Sequence, residues 1–391
     1  MEIIDELLTR GVAEVIVEAE LRKKLASGKK LRLKQGFDPS RSQMTIGNGV
    51  GLRKLRKFQE LGHTAVLIVG DWTAQIGDPS GRDESRPRLT AEVVRENAHT
   101  YMEQFFSIVD RDRTEVRWQS EWYGTFTLEN ALNLAGRFTL AQMLAHETFR
   151  KRYEAGSPLT ILELMYPMLQ GYDSVAVQSD VEFGGTDQKF NNLAGRQLQE
   201  QWGQVPQDVF LVPLIPGTDG RKMSKSFDNS VDMQMPPNEK YGKIMSMSDA
   251  VLPLYYEVWS DTPMSEVEEI KHALANMTVN PRDLKMRLAR EIVSQIDGAE
   301  AAAAAEAHFI QVHQKRDIPD DIATHELTEA TNIVDLIVAV GFASSKSEAR
   351  RLVAGGGVRL GDERIEAFDF AVYPGSNAVL QVGRRRFVRI G

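Results

Sequence analysis

Cysteine is absent from this 391-residue chain. That excludes a disulfide framework, a thiolate metal site and a cysteine nucleophile, so any catalysis must use other groups. No apolar run approaches the ~18 consecutive residues of a membrane span. The 42% hydrophobic and 26% charged residues are ordinary globular values. The opening stretch, MEIIDELLTRGVAEVIVEAELRKKL, carries neither a basic leader nor a small-residue cleavage site, so the expectation is a cytoplasmic protein with no membrane partner. Internal repeats and low-complexity segments are also missing, and no set of His and carboxylate residues suggests a metal cage, so no protein-held metal is expected. The length exceeds what one hydrophobic core usually serves, which predicts one large domain with one or two smaller ones.

Charge is unevenly placed. The net charge is -8, which argues against broad nucleic-acid affinity. From Thr331 to Gly391, however, nine Lys and Arg face six Asp and Glu, a net of +3 that leaves -11 for the rest. A polyanionic partner could dock on that tail.

Along the chain, residues 1 to about 30 read as helical, and LRLKQGFD reads as a strand ending at Asp38. A helix is predicted from near Asn48 through VGLRKLRKFQELG, with Gly62 as its C-terminal cap. AVLIVGD, residues 65 to 71, is a continuous apolar run without alternation, as a parallel sheet covered on both faces requires. Strand, helix, strand at this spacing predicts an α/β doubly wound nucleotide-binding domain. Residues 89–160 read as a mostly helical insertion broken by a strand at TEVRWQSEW, and strands resume at VAVQSDVEFGG and VFLVPLI. Residues 1–228 would thus form the catalytic domain, 229–320 a helical domain and 331–391 a small α+β domain. DIPDDIATHELTEA, residues 317–330, is the best linker candidate, and the Ala-rich stretch 299–307 suits a surface helix.

Four constellations could carry chemistry. GFDPSRSQMTIGNG, residues 36–49, places glycines and a helix entry at a strand end, where backbone N–H groups can meet phosphate. Taken alone, such a string is more often only a turn. GRKMSKSFDN, residues 220–229, sets Lys222 and Lys225 three apart among small residues; two mobile ammonium groups can follow charge that develops on a phosphate. In YPMLQGYD, Tyr166, Gln170 and Asp173 share one helix face, a polar strip able to satisfy an amino group and a hydroxyl. FASSKSEARRLVAGGGVRLGDERI, residues 342–365, reads as helix, turn, helix, Gly-rich turn and strand, with Lys346, Arg350 and Arg351 on one side. Arg384, Arg385 and Arg386 add charge suited to phosphate.

KMSKS paired with a Gly-bearing helix entry resembles the class I aminoacyl-tRNA synthetases, and YPMLQGYD closely resembles the tyrosine-binding helix of the tyrosyl-tRNA synthetases. In the first motif this chain reads Thr45-Ile46-Gly47-Asn48, where the class usually has HIGH; both histidines are replaced, although Asn48 and Thr45 keep hydrogen-bond donors. The resemblance implies that Thr45, Asn48, Lys222, Lys225, Arg82 and Arg86 stabilise the departing pyrophosphate. It places Gly36, Asp38, Gly47, Gly184, Gly185, Asp187, Gln188, Met223, Ser224 and Ser226 at ATP or the adenylate. Tyr166, Gln170 and Asp78 would meet the α-amino group of tyrosine, and Asp173 its phenol hydroxyl. Many members have a tyrosine where Lys34 lies, which leaves the role of Lys34 open. The tail resembles the αL RNA-binding motif of a ribosomal small-subunit protein and of bacterial tyrosyl-tRNA synthetases, which implies contacts to tRNA from Lys346, Arg350, Arg351 and Arg384 to Arg386. The expected partners are tRNA(Tyr), L-tyrosine, ATP with magnesium bound through its phosphates, and a second copy of the chain. Two alternatives stay open: an adenylate-forming paralogue without tRNA charging, and a non-catalytic RNA-binding protein on the same scaffold.

Overall fold

The computed structural model describes residues 2–40, 42–80, 89–315, 322–361, 363–383 and 386–391. Contacts divide the chain into Met1–Ala305 and Glu306–Gly391. In the larger unit six strands form one sheet: β1 (Glu14–Ile16), β2 (Arg32–Phe37), β3 (Thr64–Val69), β4 (Thr114–Trp118), β5 (Val181–Gly185) and β6 (Asp208–Val212). Their order is β1-β6-β5-β2-β3-β4. All neighbours are parallel except β1, which runs antiparallel on the β6 edge. Strands β3 and β6 are buried at every residue, which is why they appear as unbroken apolar runs rather than alternating ones. The chain moves outward from β2 through β3 to β4, then returns to lay β5 on the other side of β2. The switch of direction opens a crevice at the carboxyl ends of β2 and β5, where doubly wound sheets bind ligands.

Three helices frame that crevice: α1 (Ile46–Glu60), α2 (Ile161–Val177) and α3 (Lys189–Gln201). Helix α1 starts two residues before the expected Asn48, because Thr45 serves as its N-cap; it ends before Gly62, which takes the positive φ of +96° that the turn requires. Helix α2 begins with a Thr160–Glu163 capping box and runs to Val177, so Val175 to Val177, expected as strand, are its last turn. Their β-branched bias is overridden by packing against β3, where Val177 joins a cluster with Val66 and Ile68. Helices α2 and α3 meet closely: a Cβ at Gly171 would lie 2.9 Å from the backbone N of Gly195.

Gly49 of the first motif, and Gly51 just beyond it, serve protein packing. A Cβ at Gly49 would lie 2.5 Å from the Trp259 ring, and one at Gly51 would lie 2.5 Å from the Gln35 amide. Trp259 also donates its indole N–H to the Ile46 carbonyl at 3.1 Å, so the start of α1 is seated from the segment Leu252–Trp259. Residues 237–315 are helical as expected. The Ala-rich helix Ala299–Lys315 buries Ala302 and Ala305, so it is not purely a surface helix. The first thirty residues, expected as helix, contain the strand β1 between two short helices.

The smaller unit holds β7 (Thr324–His325), β8 (Thr331–Asn332), β9 (Val358–Leu360), β10 (Glu363–Arg364), β11 (Ala371–Val372), β12 (Val379–Val382) and β13 (Arg386–Ile390). Five of these form a sheet in the order β10-β9-β12-β13-β7, and β8 pairs with β11. Helices α4 (Ile333–Ala339) and α5 (Lys346–Ala354) share its core with Leu336, Ile337, Val353, Leu380 and Ile390 among the buried residues. The stretch 342–365 therefore contains one helix, since its expected first helix lies upstream as α4. The proposed linker is partly structured as well: Thr324 and His325 pair with β13, while residues 316–321 lie outside the described residues.

Candidate active site

A cleft of about 990 Å³ opens at the carboxyl ends of the strands. Asp38 follows β2, Gly70 follows β3, Gln119 follows β4, Gly184 to Gln188 close β5, and Leu214 and Ile215 follow β6, all on its wall. Five strand ends thus supply one site.

Helix α2 contributes the polar strip expected from its spacing. Tyr166, Gln170 and Asp173 all line the cleft. Asp173 is almost fully buried and is held by two donors, Gln119 Nε2 at 2.8 Å and Trp122 Nε1 at 3.1 Å. Burial pushes its carboxyl up to about 7, opposed first by the positive charge of Lys34 and then by the Gln119 hydrogen bond. Tyr166 donates its hydroxyl to Asp38 Oδ2 at 2.8 Å. Burial, then the charges of Asp38 and Asp78, hold the Tyr166 phenol well above its usual range, so it stays a neutral donor. Thr73 donates to the other Asp38 oxygen at 2.6 Å. A Cβ at Gly70 would stand 2.2 Å from that oxygen, so the backbone leaves room for the carboxylate.

Opposite α2, Gln188 Nε2 donates to Asp78 Oδ2 at 2.7 Å, and the Ser80 N–H donates to Asp78 Oδ1 at 2.8 Å. Asp187 lines the same wall, its carboxyl raised by burial and by the charge of Asp78. Gly184 and Gly185 are tight: added Cβ atoms would lie 2.8 Å from Asn192 Nδ2 and 2.7 Å from Asp187 Oδ1. A side chain at Gly184 would press on Gln188 Cβ, also 2.8 Å away, whereas at Gly185 the neighbouring Asp187 and Leu214 side-chain ends would have to turn aside.

At the start of α1, the Thr45 N–H and hydroxyl both donate to Asn48 Oδ1, at 3.0 and 3.2 Å. The pair is a capping arrangement, and it commits the carbonyl end of the Asn48 amide while the exposed residue lines the cleft. The lysine loop comes to the same place. Gly36, Gly47, Lys222, Met223 and Ser224 line the cleft, and a Cβ on Gly47 would sit 3.4 Å from Met223 Sδ. Ser226 shares a 2.7 Å hydrogen bond with Ser224, and Lys225 opens the short turn Lys225–Phe227. Arg82 and Arg86 lie outside the described residues.

Sequence reasoning missed Gln35, Gln119 and Trp122. Gln35 lines the cleft with its Oε1 buried and lacking a hydrogen-bond partner. Gln119 carried a usable signal, since it immediately follows a parallel strand, where sites of this fold gather. Among the described residues no group of three or more acidic or histidine side chains is arranged to hold a metal ion, and no helix is long and apolar enough to cross a membrane.

In the smaller unit, Lys346, Arg350, Arg351 and Arg386 are exposed. Lys346 pairs with Asp335 at 2.7 Å. Arg386 donates to the Phe342 carbonyl, and Arg351 of α5 and Arg386 of β13 both act on Glu348, so the two arginines lie near one another. Arg384 and Arg385 lie outside the described residues.

The family described as tRNA synthetases class I (W and Y) matches residues 26–314, and the tyrosine–tRNA ligase SYY-like C-terminal domain matches residues 314–388. A tyrosine–tRNA ligase of Dehalococcoides mccartyi is 54% identical over 387 residues, covering 98% of this chain and 97% of that protein. One of Thermotoga maritima is 50% identical, covering 98% and 96%. The crystal structure of tyrosyl-tRNA synthetase from Archaeoglobus fulgidus, complexed with L-tyrosine, superposes with a TM-score of 0.63 at 21% identity, covering 78% of this chain and all of that one; this likeness concerns the fold.

The raised Asp173 carboxyl has a measurable consequence. Between its ordinary 3.8 and about 7, the folded carboxyl holds a proton that the unfolded one has released, so unfolding releases a proton and stability falls as pH rises. Urea unfolding across this window should show the native chain losing stability relative to Asp173→Asn, with the difference levelling off above about 7. Parallel curves for the two proteins would refute the buried, raised carboxyl.

Proposed function

The chain belongs to the tyrosine–tRNA ligases of class I, and on that premise we propose how its cleft joins tyrosine to ATP and then to tRNA(Tyr). The observation that carries the proposal is the pairing of a buried acceptor, Asp173, with the lysine loop in one cleft. The tyrosine ring lies along α2 with its hydroxyl donating to Asp173. A phenylalanine there would bring no hydroxyl to that carboxylate, leaving it only the Gln119 and Trp122 donors in a site closed to water, and a missing hydrogen bond to a charged group costs about 1.5–3 kcal/mol. Tyrosyl-tRNA synthetases are themselves the standard example of rejecting phenylalanine in this way, so the geometry explains a selectivity already familiar in the family and does not set its size. Asp78, Gln170 and Tyr166 receive the α-amino group, and their proximity to Asp38 makes this end of the cleft acidic, which suits an ammonium.

The tyrosine carboxylate, already ionised at neutral pH, attacks the α-phosphorus of ATP. The bond from that phosphorus to the bridging oxygen breaks and pyrophosphate leaves, so no general base is needed. The work of the site is positioning and charge stabilisation. Asp187 takes the ribose hydroxyls, with Gly184, Gly185 and Gln188 beside the adenylate. Lys222, Lys225, Arg82 and Arg86 meet the pyrophosphate. Asn48, its amide oxygen already occupied by Thr45, offers an N–H to a phosphate oxygen in place of a histidine. Magnesium arrives on the ATP phosphates. A tRNA 3′-terminal hydroxyl then takes the tyrosyl group from the adenylate and AMP leaves. The two alternatives of an adenylate-forming paralogue and a non-catalytic RNA binder are not favoured, given relatives of one activity along nearly the whole chain.

Residues 229–320 serve the anticodon side, 331–391 bind tRNA, and the protein acts in the cytoplasm as a homodimer. The dimer is supported by exposed apolar side chains in the helical insertion: Leu128 and Leu132, one turn apart on one helix face, with Leu140 and Ile161. An exposed apolar group of this kind marks an association surface.

Three outcomes test these readings. Pyrophosphate exchange should depend on tyrosine and not on phenylalanine or tryptophan, and Lys225→Ala should slow it by about a hundredfold; exchange with no amino acid would overturn the assignment. Arg350→Ala with Arg351→Ala should leave exchange intact, weaken tRNA charging and flatten its salt dependence by roughly two phosphate contacts, whereas unchanged charging at all salt concentrations would remove these residues from the RNA face. Leu132→Asp should convert a dimer to a monomer in analytical ultracentrifugation, and an unaltered sedimentation coefficient would place the interface elsewhere.

A further inference from the structure

Lys34 lies in mid-strand β2, fully buried. Its ammonium has three protons and three partners: the Gln170 carbonyl at 2.9 Å, Ser174 Oγ at 2.8 Å and Glu182 Oε1 at 2.9 Å. Two of these belong to α2 and bracket Asp173 in sequence. Glu182, also buried, accepts in turn from Gln170 Nε2 at 3.3 Å, from Ser174 Oγ at 3.1 Å and from Gln207 Nε2. The network continues toward the cleft: Asn191 Nδ2 donates to Gln170 Oε1 at 3.1 Å and to Gln188 Oε1 at 3.0 Å, and Gln188 reaches Asp78. Neither Lys34 nor Glu182 lines the cleft.

A buried ion pair is weak support for stability, because taking both charges out of water offsets most of their attraction. Its placement directs attention to what it orients. We propose that Lys34 and Glu182 are a positioning pair for tyrosine selectivity: Lys34 anchors α2 on both sides of Asp173 and supplies the positive charge that favours its carboxylate form, while Glu182 fixes the Gln170 amide. This rests on the reading of Asp173 as the phenol acceptor.

The electrostatics of the surroundings agree. Burial drives the Asp173 carboxyl up, and Lys34 is the foremost influence against it, aided by Gln119 and Trp122, while Glu182 pushes it further up. The other ionisable groups turned toward Asp173 are Tyr166 on its own helix and Tyr123 from the helix after β4, and burial holds both phenols well above their usual range. Asp38 and Asp78 act on Tyr166. Loss of Lys34 therefore favours a protonated Asp173, and loss of Glu182 favours an ionised one.

The test measures tyrosine-dependent pyrophosphate exchange by the full-length protein and its variants between about pH 6 and 9. In the native chain KM for tyrosine should fall as pH rises and Asp173 ionises. Lys34→Met should move that limb to higher pH and raise KM for tyrosine about fivefold at neutrality and about ninefold at pH 6, as a one-unit shift would, with KM for ATP unchanged. Glu182→Gln should move the limb to lower pH. Opposite displacements are a signature that general structural damage does not produce, and if Lys34→Met fails to fold, the direction of the Glu182→Gln shift still decides. Displacements in the same direction, or none, would overturn the inference. Asp173→Asn separates the two layers: if it keeps the preference for tyrosine over phenylalanine, the phenol reading itself fails; if it loses that preference while the other two leave the profile unmoved, only the positioning role fails.

Discussion

The structure is organised around the difficulty of keeping charge away from water beneath α2. Asp173 is buried, and a buried carboxylate demands donors and a nearby positive charge. Gln119 and Trp122 supply the donors. Lys34 supplies the charge, and being buried itself it requires Glu182 and two further acceptors. Glycines at 171 and 195 let α2 and α3 come close around this polar layer. A chain of such necessities leads from one carboxylate to two strands and two helices.

The cleft combines two electrostatic demands at different places. Around Tyr166 the carboxylates of Asp38 and Asp78 are acidic, while Lys222 and the exposed Asn48 line another part of the same cleft. Asp38 follows β2 and Tyr166 lies on α2, so the spacing at this end is set by packed strands and helices, whereas Lys222 reaches the cleft from a loop. Rigid spacing of this kind favours a reaction whose requirement is alignment of two bound reactants.

Much of this was legible because it was local. The apolar runs of β3 and β6, the one-sided spacing of Tyr166, Gln170 and Asp173, and the KMSKS string are all patterns that span a few residues. What escaped depended on distant partners. Lys34 stood out only as the position where many members have a tyrosine, and its partners are seen only once β5 and α2 enclose it. Gln119 and Trp122 acquire meaning only when β4 brings them against Asp173. The strand β1 is three residues long and exists by pairing with β6, nearly two hundred residues later. Gly49 was read as a place where backbone could approach a ligand, but what approaches it is Trp259.

That seating of α1 by Trp259 bears on how the protein is made. The indole that fits against Gly49 and holds the Ile46 carbonyl lies 213 residues downstream of that carbonyl, and Arg10 reaches still further, to the carbonyls of Tyr256 and Ser260. A nascent chain that has exposed only its first two hundred residues already contains the Thr45–Asn48 motif and β2, β3 and β5, but not the side chain that fixes the helix entry. The cleft is therefore completed late in synthesis, and a ribosome that stalls before this segment emerges leaves a sheet whose helix α1 has no seat.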